Sequence, residues 1–191
     1  MQNAETDKKK RSIRNKLIFV ILALIILLAL VLFKKLYLDR PERFQKGEIE
    51  LEGPYKVQKV VDGDTFYIKK DGQDVKVRLI GVDTPESVAP AYSGKENTKE
   101  GEKAAEYLKD LIGGKTIYLE YDLDTYDQYG RLLAYDYKSD QETMVQRVLL
   151  SEGMAMVVTY QPNVKYADEF VKLQKEAREN GKGFWGSGYY Q

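Results

Sequence analysis

The sequence predicts an α+β protein in which a five-stranded β-barrel of the OB-fold type packs on three helices and is preceded by a single transmembrane helix. Three observations predict this class. An unbroken apolar run of 17 residues lies near the amino terminus. Five short β-favouring segments follow it. One segment with helical periodicity comes after the third of these strands, and two more come after the fifth. This order is typical of a small Greek-key barrel packed on helices.

The apolar run covers residues 17–33 and is flanked by Lys16, Lys34 and Lys35. As a helix it would be about 25 Å long, which is at the short end of what crosses a ~30 Å hydrocarbon core. The flanking lysines can extend their ammonium groups to the interface. A buried core helix is the alternative, but a helix that is apolar on every face is rarely one when lysine clusters flank it. We therefore predict a transmembrane helix over residues 17–35.

The basic residues around this helix predict its orientation. Six precede the apolar run and three closely follow it, so the positive-inside rule places the amino terminus in the cytoplasm. A cleaved signal peptide is the alternative, but the residues after the run are large or basic rather than small, which favours an uncleaved signal anchor. The prediction is a single-pass protein of a bacterial cell membrane with an extracellular domain. Its parts are a basic tail (1–16), the anchor (17–35), a polar stalk (36–53), the folded domain (54–186) and a short tail (187–191).

Charge and composition restrict the chemistry. Residues 1–35 contain eight Lys or Arg and two acidic residues, which leaves 22 basic and 28 acidic residues in the rest of the chain. A net-acidic domain gains no long-range attraction for nucleic acid, so phosphate binding would need local positive potential or a bound cation. The sequence contains no Cys and no His. Disulfide-linked partners, cysteine nucleophiles, Cys/His zinc sites and histidine bases are therefore excluded.

The folded domain opens with three β-favouring segments. The first two span residues 55–61 and 65–68, and an Asp-Gly-Asp sequence separates them. A Lys-Lys-Asp-Gly sequence, typical of a hairpin, leads to the third at 75–80. This third segment alternates apolar and polar side chains, with Arg78 on its polar face. The pattern predicts a meander of three strands.

Three helices are predicted from apolar residues at helical spacing. The first is capped by Asn97 or Thr98 and ends at Gly113. Two strands, 116–121 and 132–137, follow it. The remaining segments are a helix over 141–150, a short strand within 154–159 and a helix over 166–180.

Polar clusters lie at three predicted strand ends. They are Asp62-Gly63-Asp64-Thr65, Asp83-Thr84-Pro85-Glu86 and Asp127-Gln128-Tyr129-Gly130-Arg131. Taken singly, each is explained by a turn or a loop, because Asp, Gly and Pro are common there. Arg78 could likewise be a surface cation.

Taken together, these clusters are specific. The sequences VVDGDT, VRLIGVDTPE and DxYGRLLAY occur in this order and are separated by about one strand or one helix each. They resemble the staphylococcal nuclease family, as do GMA, YQPN and the terminal GFW. The resemblance covers about 130 of the 191 residues. It implies a five-stranded OB barrel with three helices, and calcium-dependent cleavage of DNA and RNA at the P–O5′ bond that leaves 3′-phosphates.

The resemblance also implies a role for each matching residue. The implied Ca²⁺ ligands are the carboxylates of Asp64 and Asp83 and the carbonyl of Thr84, with Asp62 in the outer shell. The implied catalytic residues are Glu86 as general base and Arg78 and Arg131 as phosphate-binding groups. The implied nucleotide contacts are Tyr129 and Tyr160.

Physical chemistry alone also indicates that these residue types suit phosphodiester cleavage, independently of the family resemblance. Ca²⁺ prefers about six to eight oxygen ligands. Because the chain has no histidine, a carboxylate such as Glu86 must deprotonate or orient the attacking water. Planar guanidinium groups can meet the charge that develops on the equatorial phosphorane oxygens. We hypothesise that Arg131 also assists the departing 5′ oxygen.

The sequence departs from the family pattern at two nucleotide-contacting positions. Val158 stands where the family often has a second tyrosine, and Gln128 stands where the type enzyme has a lysine. Neither position belongs to the metal, base or arginine set, so we expect an active enzyme. We expect a monomer by default. One alternative is a catalytically inactive OB-fold module that binds nucleic acid at the cell surface. Another is an interaction domain of the envelope, which nothing in the sequence favours.

Overall fold

Five strands close into a barrel in the computed structural model, which describes residues 49–87 and 98–191. Its elements, in chain order, are β1 (Glu52–Asp62), β2 (Thr65–Lys70), β3 (Gln73–Leu79), β4 (Val82–Asp83), α1 (Lys99–Ile112), β5 (Thr116–Glu120), β6 (Leu132–Lys138), α2 (Val145–Ser151), β7 (Met156–Val157), α3 (Ala167–Glu179) and α4 (Gly183–Gly186). The barrel order is β1-β2-β3-β6-β5. β3 and β6 pair in parallel and the other neighbours are antiparallel. The predicted five-stranded barrel is confirmed.

The predicted transmembrane helix and most of the predicted stalk lie outside the described residues. Within the two described ranges, no helix is long and apolar enough to cross a membrane. The position and orientation of a membrane anchor therefore stay predictions.

The β2–β3 hairpin follows from its turn residues. Asp71 and Gly72 have φ values of 50° and 78°, the left-handed conformation that a two-residue hairpin turn requires. The register then runs without interruption from Lys70 paired with Gln73 to Thr65 paired with Arg78. This register determines where Arg78 lies relative to the β1–β2 turn.

The barrel strands bury mostly apolar side chains. The strands bury large aliphatic and aromatic side chains, among them Phe66, Val77, Leu79 and Leu119. Asp136, which pairs with Leu119 across β5 and β6, is also fully buried. Neither of its carboxylate oxygens has a hydrogen-bond partner among the described residues. Burial therefore raises the pKa of Asp136 well above its usual range.

The first and last long helices agree with the predictions. Thr98 caps α1, since its Oγ1 accepts a hydrogen bond from the Gly101 N–H at 2.9 Å. α3 begins and ends one residue inside its predicted range. α4 is a single turn that was not predicted.

The helix predicted over 141–150 is present, but its predicted start was wrong. Gln141 has a φ of 57°, which an α-helix does not tolerate. The Asp140 carboxylate accepts hydrogen bonds from the N–H groups of Glu142 and Thr143, at 3.0 and 2.8 Å. These bonds hold a turn, so α2 begins only at Val145.

The short strand predicted within 154–159 is confirmed as β7, which contains two residues. It pairs with β4, a strand that was not predicted, through Val82–Val157 and Asp83–Met156. This small sheet holds Asp83 beside the β7 segment.

Candidate active site

The β1–β2 turn buries two carboxylates. Asp62 pairs with Thr65, so Gly63 and Asp64 form the turn itself. A Cβ atom at Gly63 would lie 2.6 Å from Ala104 Cβ and 2.7 Å from Thr84 Oγ1. Only glycine lets α1 and Thr84 approach the turn this closely. Asp62 and Asp64 are both buried as a result.

Hydrogen bonds fix the Asp64 carboxylate. Its Oδ1 accepts from Thr65 Oγ1 at 2.8 Å, and its Oδ2 accepts from both the N–H and the Oγ1 of Thr84 at 3.0 Å. It also forms an ion pair with Arg78 Nη1. Four donor groups therefore satisfy both oxygens of this buried carboxylate.

Arg78 joins Asp64 to Asp83. While Nη1 contacts Asp64, Nη2 donates to Asp83 Oδ1 at 2.7 Å and to the Val82 carbonyl at 3.2 Å. The two carboxylates are therefore no further apart than one guanidinium group can span. Two acids, one from the β1–β2 turn and one from β4, face the same positive charge.

Asp62 and Glu86 form a pair of carboxyl groups. Asp62 Oδ1 accepts hydrogen bonds from the N–H groups of Gly63 and Ser87, at 2.9 and 3.1 Å. The Asp62 side chain also shares a hydrogen bond with Glu86. Burial and then this hydrogen bond raise the pKa of Asp62 to about 6. A carboxyl with a raised pKa beside a second carboxylate is an arrangement found in acid–base catalysis.

The amino-terminal end of α1 holds the backbone of Glu86. The Thr98 N–H donates to the Glu86 carbonyl at 2.9 Å. Gly101 lies directly against the same carbonyl, where a Cβ atom would overlap the oxygen. The helix therefore fixes the position of the predicted base.

Arg131 is held by Asp127. The Arg131 N–H donates to Asp127 Oδ1 at 2.9 Å, and its Nε donates to Oδ2 at 2.6 Å. Burial acts to raise the pKa of Asp127, but the hydrogen bonds from Arg131 outweigh it, so the pKa lies below its usual value. Arg131 Cζ also lies 5.6 Å from the centroid of the Tyr129 ring. Arg131 and Tyr129 thus form a second group.

The strand register places this second group beside the first. Leu132 pairs with Val77 and Leu133 with Arg78, so Arg131 immediately precedes the strand next to the one that contains Arg78. Tyr160 lies on a third segment, which the hydrogen bond from the Val158 N–H to the Gly81 carbonyl (3.1 Å) holds near β4. Tyr129 and Tyr160 are both exposed.

Direct contacts thus join the predicted residues in two sets: Asp64, Thr84, Arg78 and Asp83 form one, and Asp62 and Glu86 form the other. Arg131 and Tyr129 form the neighbouring group, and Tyr160 lies on a separate segment.

The residues fit the implied Ca²⁺. In the part of the chain that the structure describes, no cluster of three or more acidic side chains is placed to hold a metal ion. The resemblance, however, implies two carboxylates and one carbonyl. The contact of Asp64 and Asp83 with one guanidinium is the observation that fits, because both carboxylates already face a common cation. Hard oxygen ligands such as these suit Ca²⁺, which can take its other ligands from water and substrate.

Three residues that hold the site were not predicted to do so. Ser87 donates to Asp62 and Gly101 accommodates Glu86. The contact with Gly101 depends on tertiary packing, which the sequence does not reveal. The role of Asp127 could have been predicted from the sequence. An aspartate four residues before an arginine, in a turn that contains glycine, is suited to a local ion pair.

Comparison with known proteins decides the family. The family model described as "Staphylococcal nuclease homologue" matches residues 76–187, which is more than half of the chain. The chain belongs to the staphylococcal nuclease family.

Similar proteins within and beyond the staphylococci support this assignment. The chain is 39% identical over 163 residues to the thermonuclease of Staphylococcus intermedius, a match that covers 85% of this chain and 94% of that protein. It is 39% identical over 134 residues to the thermonuclease of Staphylococcus hyicus, covering 70% and 76%. It is 38% identical over 136 residues to the endonuclease YncB of Bacillus subtilis, covering 70% and 62%.

Proposed function

We propose that this member of the staphylococcal nuclease family is a calcium-dependent nuclease that cleaves DNA and RNA at the P–O5′ bond and leaves 3′-phosphates. The names thermonuclease and endonuclease of its relatives support the activity. One structural observation supports it most. A pair of carboxylates bridged by a cationic group, Asp64 and Asp83, adjoins a second carboxyl pair, Asp62 and Glu86.

The first pair would hold the metal. Asp64, Asp83 and the Thr84 carbonyl are the proposed Ca²⁺ ligands, with Asp62 in the outer shell. When bound, the ion supplies positive charge that offsets the phosphate of the substrate in this net-acidic domain. The ordered hydrogen bonds to Asp64 mean that its carboxylate needs little rearrangement to act as a ligand.

Glu86 is the proposed general base. It would accept a proton from the attacking water, since no histidine exists to do so. The shared hydrogen bond with Asp62 orients the Glu86 carboxyl, and α1 fixes its backbone. Because both the backbone and the carboxyl group of Glu86 are held, this side chain loses little conformational freedom when the transition state forms.

Arg78 and Arg131 are the proposed phosphate-binding groups. Carboxylates orient both groups: Asp64 and Asp83 contact Arg78, and Asp127 contacts Arg131. Because the pairing of Arg131 uses Nε, its two terminal nitrogens are suited to a phosphate oxygen and to the departing 5′ oxygen. Tyr129 and Tyr160 would border the nucleotide.

Degradation of single-stranded DNA and of RNA by the full-length protein in detergent tests this function. Cleavage should require added calcium and stop with chelator, and the products should end in 3′-phosphates. Glu86→Gln should lower kcat by about 10²- to 10⁴-fold. Cleavage that chelator does not stop would contradict calcium dependence. Binding without any cleavage would instead identify an inactive nucleic-acid-binding module.

We also propose that the domain works outside a bacterial membrane, anchored by residues 17–35 as a monomer. The charge distribution around the apolar run supports this topology. Protease added to intact cells should remove the nuclease domain and leave the 1–16 tail protected. Protection of the domain would contradict the orientation.

A further inference from the structure

The connection between β5 and β6 exposes an unusual number of apolar side chains. Leu123, Tyr126 and Tyr129 are 77%, 57% and 65% exposed, and all three lie within seven consecutive residues. Single exposed apolar residues are ordinary, whereas a concentration of them marks a binding surface. Tyr129 already belongs to the proposed nucleotide site, but Leu123 and Tyr126 have no role in it.

This connection is ordered by hydrogen bonds. Tyr126 forms an isolated bridge with Leu132, and the Leu133 N–H donates to the Thr125 carbonyl at 2.8 Å. The Asp127 N–H donates to the Arg131 carbonyl at 3.0 Å. Tyr126 therefore projects from a fixed backbone next to the Asp127–Arg131 pair. A ligand that binds a fixed side chain loses less entropy than one that must order a flexible loop.

Asn163 joins the connection to the turn that contains Tyr160. Its Oδ1 accepts from the Asp124 N–H at 2.8 Å, and its Nδ2 donates to the Asp124 carbonyl at 2.7 Å. Asn163 also forms a bridge with Tyr160, which is 72% exposed. The two segments that carry the exposed tyrosines are thus held together by hydrogen bonds.

The charge of this surface favours bases over phosphates as the contacting groups. The connection contains three aspartates, which repel phosphate. Asp127 is paired with Arg131, and Asp122 accepts from the Tyr135 hydroxyl at 2.9 Å. Exposed tyrosine rings instead suit unstacked bases, every one of which has a π-face. In OB-folds, the connection between the fourth and fifth barrel strands is one of the loops that bind oligonucleotides.

We propose that Tyr126, with Leu123 nearby in the chain, forms a base-stacking subsite for single-stranded nucleic acid. It would hold a base next to the nucleotide that Tyr129 and Tyr160 would border. The inference rests on the proposed nuclease function and deepens it. Tyr126 would therefore strengthen binding of strands that are long enough to reach it, but not of dinucleotides.

Steady-state cleavage of oligothymidylates of two and of eight nucleotides by the full-length protein tests the subsite. Tyr126→Ala should raise KM for the octanucleotide by roughly five- to hundredfold, the effect of losing one base–aromatic stack. KM for the dinucleotide and kcat for both substrates should not change. Tyr126→Phe should behave as wild type, because it keeps the ring. The dependence of kcat/KM on salt should also be unchanged, because no phosphate contact is lost.

Val171→Ser on α3 is the matched control, since Val171 is a 53% exposed apolar residue on another element. Equal octanucleotide kinetics for Tyr126→Ala and wild type would overturn the subsite, and is the result expected if this surface binds a protein instead. An equal loss on both substrates would also overturn it, because Tyr126 would then act on the reaction centre or the fold. A wild-type protein that cleaves neither substrate would overturn the nuclease function itself.

Discussion

Asp62 and Glu86 share a hydrogen bond between their carboxyl groups, although 24 positions separate them in the chain. Gly63 lets the β1–β2 turn approach Thr84 and Ala104, and Gly101 lets α1 approach Glu86, where side chains would block both approaches. Two acidic groups in contact need a proton or a cation to be stable together. This relationship is the reason why the site is suited to acid–base chemistry, and it leads to specific predictions.

Asp62→Ala should destabilise the domain more than Asp62→Asn. Alanine leaves the N–H groups of Gly63 and Ser87 without their acceptor, which costs about 1–3 kcal/mol. Asparagine keeps an acceptor for them and a donor for Glu86. Urea denaturation at neutral pH measures both free energies of unfolding. Equal values for the two variants would show that these hydrogen bonds do not contribute to stability.

Gly63→Ala should destabilise the domain by about 1–3 kcal/mol and also lower nuclease activity. The added Cβ would lie 2.6 Å from Ala104 Cβ, so the turn that contains Asp62 and Asp64 must move. Gly114→Ala is the control, because a Cβ there meets nothing within 4 Å and adds only the strain of a φ of 67°. Thermal unfolding and kcat report the two effects. Unchanged kcat in Gly63→Ala would indicate that the position of the turn does not matter for catalysis.

Asp127→Asn should lower kcat by about tenfold, with a smaller effect on KM. The amide still accepts from the backbone N–H groups of Tyr129 and Arg131, but it loses the charged contact with Arg131 Nε. Arg131 is then less well oriented toward the phosphate. Asp140→Asn, at a turn away from the site, controls for the loss of one carboxylate. If both variants have the same kcat, Asp127 has no positioning role.

Asp136→Leu should change how stability depends on pH. Because burial raises the pKa of Asp136, the folded state keeps this proton to a higher pH than the unfolded state does. The stability that this group provides is therefore fully present below its unfolded pKa, and is lost as pH rises through the folded pKa. The urea midpoint of each protein should be measured from acidic to alkaline pH. As pH rises, the midpoint of wild type should fall more than that of Asp136→Leu. Parallel profiles would mean that Asp136 does not titrate in this range.

Much of the fold could be predicted because its signals are local. β-Favouring segments bounded by turn residues identified the barrel strands, and Thr98 was one of two predicted helix caps. The start of α2 could not be predicted, since Gln141 adopts a left-handed conformation that helical periodicity does not reveal. The small β4–β7 sheet pairs segments more than 70 positions apart, and its strands are too short to show a pattern.

The candidate site was predictable as a set of residues but not as a set of contacts. The motifs named Asp64, Asp83 and Arg78, yet the bridge that Arg78 forms between the two acids depends on the β2–β3 register and on the β4–β7 pairing. Nothing in the sequence distinguishes Asp136 from the other residues of its predicted strand. Its full burial depends on closure of the barrel.

Calorimetric titration of calcium into the full-length protein tests the central claim, that Asp64 and Asp83 face one cation, most directly. One Ca²⁺ should bind per chain of the wild-type protein, and binding should be at least about tenfold weaker in Asp83→Asn, because one of the two proposed charged ligands is lost. Wild-type affinity in Asp83→Asn, or no binding to the wild-type protein, would contradict it.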